Sequence, residues 1–129
     1  MSSAPLVALV HAIPDSMPAA LTAFASLWPE AETLNVVDDS LFSDLAAGTS
    51  TPPAVIDRFR ALTRYVLGKT TAGRTPEGVL FCCSAFGYAI EAVRKEFPGP
   101  LLTPAESGIE DALRAGSRIG LIVSAEGAI

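Results

Sequence analysis

Gly78-Val79-Leu80-Phe81-Cys82-Cys83-Ser84-Ala85-Phe86-Gly87-Tyr88-Ala89-Ile90 decides the fold. Its first six residues are the most apolar run of the chain and too short for a buried helix, so they read as a fully buried strand. Small and polar residues follow the second cysteine. Phe86, Ile90, Val93 and Phe97 then recur at helical spacing, with Glu91 and Lys95 as an i,i+4 pair. The segment is therefore a strand that ends at a thiol and turns into a helix.

The same alternation repeats on both sides. Leu6 to Ala12 is an apolar strand, followed by the turn and helix-start signal Pro14-Asp15-Ser16. Ala19 to Trp28 carries Leu21, Phe24 and Trp28 as a core-facing stripe. Glu32 to Val37 is a second strand, ending at Asp38-Asp39-Ser40. A short helical piece spans Leu41 to Ala47. Thr51 before Pro52-Pro53 is N-cap and first-turn chemistry. Ile56, Phe59, Leu62 or Thr63, and Val66 then face one way, and Gly68 closes that helix. Leu101-Leu102 is a short fourth strand. A helix opened by Thr103-Pro104 turns Ile109, Ala112 and Leu113 inward, with Gly116 after its end. Arg118 to Ser124 reads as a fifth strand.

Continuous apolar strands separated by helices imply an α/β fold: an open, doubly wound parallel sheet of four to five strands with helices on both faces. Such sheets bind ligands beyond the carboxyl ends of their strands. Those ends carry His11, Asp38-Asp39-Ser40, Cys83-Ser84 and Thr103.

Composition narrows the function classes. The chain has 129 residues, half of them hydrophobic, which suits one core without staples. Nine basic against 14 acidic residues give a net charge of −5, which speaks against a nucleic-acid surface. No uninterrupted apolar stretch reaches about 18 residues, so no membrane span is expected. Met1 to Val10 lacks a basic start and reads as structure, not as a signal peptide. The two adjacent cysteines cannot staple distant segments, and without a His or second Cys cluster a structural zinc is not expected. A reducing cytoplasm is the expected compartment.

Cys82 and Cys83 point to opposite sides of their strand. Cys83, at the strand-to-helix turn, is the better candidate for chemistry. Free N–H groups of the following helix would favour its thiolate and could hold a carboxylate or an enolate oxygen. The alternative is a pair of buried core cysteines. Other thiol chemistries lack their partners. There is no Cys-x-x-Cys pair, Ala89 stands where a phosphatase loop needs Arg, and His11 is the single histidine. Asp15 and Ser16 are N-cap candidates before they are ligands. Asp38-Asp39-Ser40 is either a cleft loop or a solvated turn.

Val79 to Glu91 resembles the first cysteine motif of the Asp/Glu/hydantoin racemase superfamily. Three further segments fit in order: Leu9-Val10-His11-Ala12 with Ser16-Met17, Leu34 to Leu41, and Thr103 to Glu106 followed by Arg118 to Ile122. The resemblance implies two similar lobes with a site between them, each supplying one cysteine. One thiolate removes the proton α to a carboxylate or carbonyl, and the other thiol returns a proton on the opposite face, with no metal or other cofactor. It makes Cys83 the first catalytic cysteine, with Ser84 and Ala85 donating to substrate oxygens and Ser16 and Ser40 in loops lining the site. His11 joins them from its strand end. The substrate would be a small carboxylate or hydantoin-like compound. Residues 1–117 would form the N-terminal lobe and 118–129 the first strand of a second, whose cysteine lies further on. Alone, the lobe is expected to be weak or inactive. Its uncovered face would then favour a homodimer or a binding module. A flavodoxin-like or receiver-like domain fits less well, because His11 and Cys83-Ser84 stand where acidic or phosphate-binding residues belong.

Overall fold

The structure, a computed structural model, describes residues 3–70 and 72–123. Four strands, β1 (Leu6–His11), β2 (Glu32–Val37), β3 (Gly78–Phe81) and β4 (Leu101–Leu102), form one sheet in the order β2-β1-β3-β4. Every pairing is parallel. The helices are α1 (Ser16–Leu27), α2 (Ser40–Ala46), α3 (Pro52–Val66), α4 (Gly87–Arg94) and α5 (Glu106–Ala115). Thr51 is the N-cap of α3, with the prolines inside its first turn, as the sequence predicts. Proline costs nothing there, because the first N–H groups of a helix have no intrahelical acceptor. A 3₁₀ turn, Ser84–Phe86, joins β3 to α4.

The two faces of the sheet are unlike. Ala8, Val10, Val79, Phe81 and Leu101 point to the α3–α4 side and are all buried. Phe59 from α3 packs in tilted contacts against Phe81 and Phe86, with ring centroids 5.7 and 5.5 Å away. Ile90 and Val93 from α4 and Leu41 from α2 complete this core. The contrast follows from strand alternation, which sends residues of one parity to one face. The other parity, Val7, Leu9, His11, Leu80 and Cys82, looks toward α1 and α5.

On that side two expectations fail. Neither α1 nor α5 has a buried residue. Phe24 is half-buried, and Trp28, stacked on it at 6.2 Å, is exposed. Ile109 and Leu113 of α5 also face outward. The helical stripes were legible, but a stripe does not say that a helix is pressed close to the sheet.

The expected fifth strand is a further correction. Residues 118–123 form no strand, and Leu121 and Ile122 are 69% and 98% exposed; Ser124 to Ile129 lie outside the described residues. The reason is the hand of the connections. A right-handed crossover can add a strand beyond β4 only if its helix lies on the face used by α3 and α4. α5 instead borders the same groove as α1, on the opposite face. A right-handed continuation from there leads back over the sheet, not to its free edge.

Candidate functional site

β3 delivers two thiols to the carboxyl end of the sheet. The Cys82 N–H donates to the Val10 carbonyl at 2.7 Å, which continues the ladder one residue past the strand. Cys83 keeps an extended backbone, φ −141° and ψ 122°, before the 3₁₀ turn. The side chains therefore diverge as expected. Cys83 packs among Ala85 and the core on the α3–α4 side. Cys82 lines a groove of about 810 Å³ between α1 and α5.

Their acidities correct the expected thiolate. Burial pushes the Cys83 thiol up, and the nearby Ala85 N–H offsets this only in part. The turn does supply the expected donor, but desolvation outweighs it, because a half-buried thiolate loses more hydration than one N–H restores. Burial, with a smaller contribution from Cys83, pushes Cys82 up to about 11. Both cysteines are thiols at neutral pH.

The other expected residues divide into three places. Ser84 is exposed and Ala85 half-buried in the turn beside Cys83. Ser40 starts α2, where its hydroxyl and N–H both donate to Asp38, which also receives Arg58 at 3.2 Å. The Asp38–Ser40 segment is thus a braced turn tied to α3. His11 and Ser16 are together, but on the side of Cys82. His11 is completely buried. Its Nδ1 lies 2.6 Å from Ser16 Oγ and its Nε2 lies 3.0 Å from Asn35 Oδ1. Asn35 in turn donates to Thr33 Oγ1 at 3.2 Å. The Ser16 hydroxyl also donates to the Ile13 carbonyl at 2.9 Å. Asp15, at the N-cap of α1, makes no side-chain cap.

Asn35 is the residue the sequence reading missed. It interrupts the apolar strand Glu32–Val37, and a polar residue at the register position beside Leu9 was the available signal. Among the described residues no cluster of three His, Cys, Asp or Glu side chains is placed to hold a metal ion. No described helix is long and apolar enough to cross a membrane. No protein-family model, curated protein or solved structure matches the chain.

Proposed function

We propose that this chain carries one half of a cofactor-independent racemase or isomerase site, in which Cys83 moves a proton at the carbon α to a carboxylate or carbonyl. The observation that carries the reading is a thiol just past the end of β3, on an extended backbone at the head of the Ser84–Phe86 turn. A two-thiol reaction needs one thiolate as base and one thiol as acid. Burial holds Cys83 protonated, which suits the acid: its S–H delivers the proton to the carbanion. Ser84 and Ala85 lie where they can meet the substrate's oxygens. Cys82 cannot be the base across the same carbon, because it faces the opposite side of β3. The second group therefore belongs to a second lobe or a second copy. Proton transfer by one positioned group contributes about 10²–10⁴-fold, so this half alone is slow at best.

Affinity alkylation tests the reading without requiring turnover. An ordinary thiol in a chain of net charge −5 disfavours iodoacetate relative to neutral iodoacetamide. A carboxylate site beside Cys83 reverses this at that residue. The expected result is saturable iodoacetate labelling of Cys83, with an iodoacetate-to-iodoacetamide rate ratio at least tenfold above that of Cys82. Equal, non-saturating ratios at the two cysteines would overturn the proposal.

A second reading, self-association, is favoured by exposed apolar side chains. Leu27 at the end of α1, Trp28 after it, Leu113 of α5, and Leu121 and Ile122 are all exposed. A second copy covering them is tested by light scattering across a concentration series; a monomer at the highest concentration refutes it.

A further inference from the structure

His11, Ser16 and Asn35 form a hydrogen-bonded relay that the Cys83 reading does not use. The proton positions follow from chemistry. Asn35 Oδ1, which only accepts, is the atom facing His11 Nε2, so Nε2 carries the ring proton, while the Asn35 amide donates to Thr33 Oγ1. In the neutral imidazole Nδ1 is then an acceptor 2.6 Å from Ser16 Oγ, and it shares the single hydroxyl proton with the Ile13 carbonyl at 2.9 Å. Ser16 is half-buried and opens onto the groove of about 810 Å³. The base is sealed from water, while the hydroxyl is not. A buried histidine with both nitrogens satisfied also serves as a packed core residue. That alternative leaves the place of Ser16 on the groove wall unused.

We propose that Ser16 is an activated nucleophile, with His11 as its base and Asn35 as the positioning residue, and that the groove accepts small carboxylic esters. Ala19, Ala20, Ala23 and Leu27 of α1 give it an apolar wall that fits an uncharged acyl group, while Glu106 and Glu110 border the opposite side. Ser16 Oγ forms a bond to the acyl carbon as its proton passes to His11 Nδ1. The bond from that carbon to the alcohol oxygen breaks, and the leaving alkoxide takes the proton from Nδ1. Water, by the same proton path, later cleaves the acyl-serine to the free acid. Nucleophile, base and orienting group within hydrogen-bond reach are the geometry this chemistry requires. The site stands on the opposite face from Cys83 and does not depend on the proton-transfer reading.

The test uses a small alkyl fluorophosphonate, which spares thiols, on the intact chain, read by intact mass and peptide mapping. Attack by Ser16 forms an O–P bond and expels fluoride. One adduct on Ser16 is expected, and none in Ser16→Ala, whose circular dichroism should match the parent. Asn35→Leu should slow labelling at least tenfold, and Asn35→Asp, which still accepts from Nε2–H, should restore it. A merely structural Asn35 would not give that rescue in rate between two variants that are equally folded. No adduct on Ser16, or labelling indifferent to Asn35→Leu, would overturn the proposal.

Discussion

Replacing Phe59 by alanine probes the link between the core and the candidate site. Phe59 is 1% exposed and sits between Phe81, the last residue of β3, and Phe86, the last residue of the turn after Cys83. Its ring therefore fixes the positions of both ends of the thiol-bearing segment. A buried phenylalanine removes on the order of 150–250 Å² from water. At about 25 cal/mol per Å² that is roughly 4–6 kcal/mol for the whole side chain, of which alanine keeps a small part. Measured Phe→Ala losses in cores run at about 3–5 kcal/mol, and we expect F59A to fall there. Two tilted aromatic pairs, each worth about 0.5–1.5 kcal/mol beyond area, favour the upper half of that range. Urea unfolding monitored by circular dichroism should show the loss as a lower midpoint at unchanged slope. Alkylation of Cys83 should accelerate in parallel, since its cover comes from the same packing. A loss below about 1 kcal/mol would refute the reasoning, because overpacking or a dispensable contact, not a keystone ring, would then describe the site.

Two further outcomes follow from local geometry. Cys82, held at about 11, should have about a hundredfold less thiolate at pH 8 than an ordinary thiol near 9; the higher nucleophilicity of the more basic thiolate offsets this about eightfold, leaving roughly tenfold slower iodoacetamide labelling. Its rate should keep climbing toward pH 11 instead of levelling near 9, and because the folded state prefers the thiol, its share of stability is complete below about 9 and lost as pH rises from there through about 11. A plateau near pH 9 would contradict the burial. At Gly78 an added Cβ would stand 2.9 Å from Pro100 Cγ and 3.0 Å from Pro100 O, the carbonyl that receives the Val79 N–H. Gly78→Ala should cost about 1–3 kcal/mol by overpacking, whereas Gly108→Ala, in open space on α5, should gain about 0.5–1 kcal/mol. Melting temperatures of the two variants moving in the same direction would refute the comparison.

The doubly wound parallel sheet was legible because its strands read as continuous apolar runs and its helices begin at marked positions. Thr51-Pro52-Pro53 announces α3 from local chemistry alone. The divergence of Cys82 and Cys83 was equally legible, since strand alternation needs no tertiary information. What failed depended on contacts distant in sequence. The periodicity of α1 and α5 gave their inner faces but not how loosely they cover the sheet, so Trp28 and Leu113 were expected inside. Arg118 to Val123 has every local mark of a strand and lacks a partner, and pairing is a property of the sheet, not of the segment. Cys83 was expected as a thiolate because the turn's N–H was visible in the pattern, while the desolvation that outweighs it was not. His11 was placed at the strand end correctly, but its partner Asn35 lies 24 residues away and meets it only through the β1–β2 register.

The unequal faces bear on where chemistry can reside. On the α3–α4 side the sheet is sealed, and Cys83 reaches solvent only at the turn, so a substrate must approach it from beyond the strand ends. On the α1–α5 side the cover is incomplete, and a groove runs along the sheet past Cys82 to Ser16. A small ligand there lies at the carboxyl ends of β3 and β4, with the apolar side of α1 and Ser16 on one side and Thr103, Glu106, Ser107 and Glu110 on the other. The two regions therefore select by different means. The first needs charge recognition from the turn and a second partner. The second has its nucleophile, base and orienting amide on one chain, so its chemistry, unlike that of Cys83, is testable on this polypeptide alone.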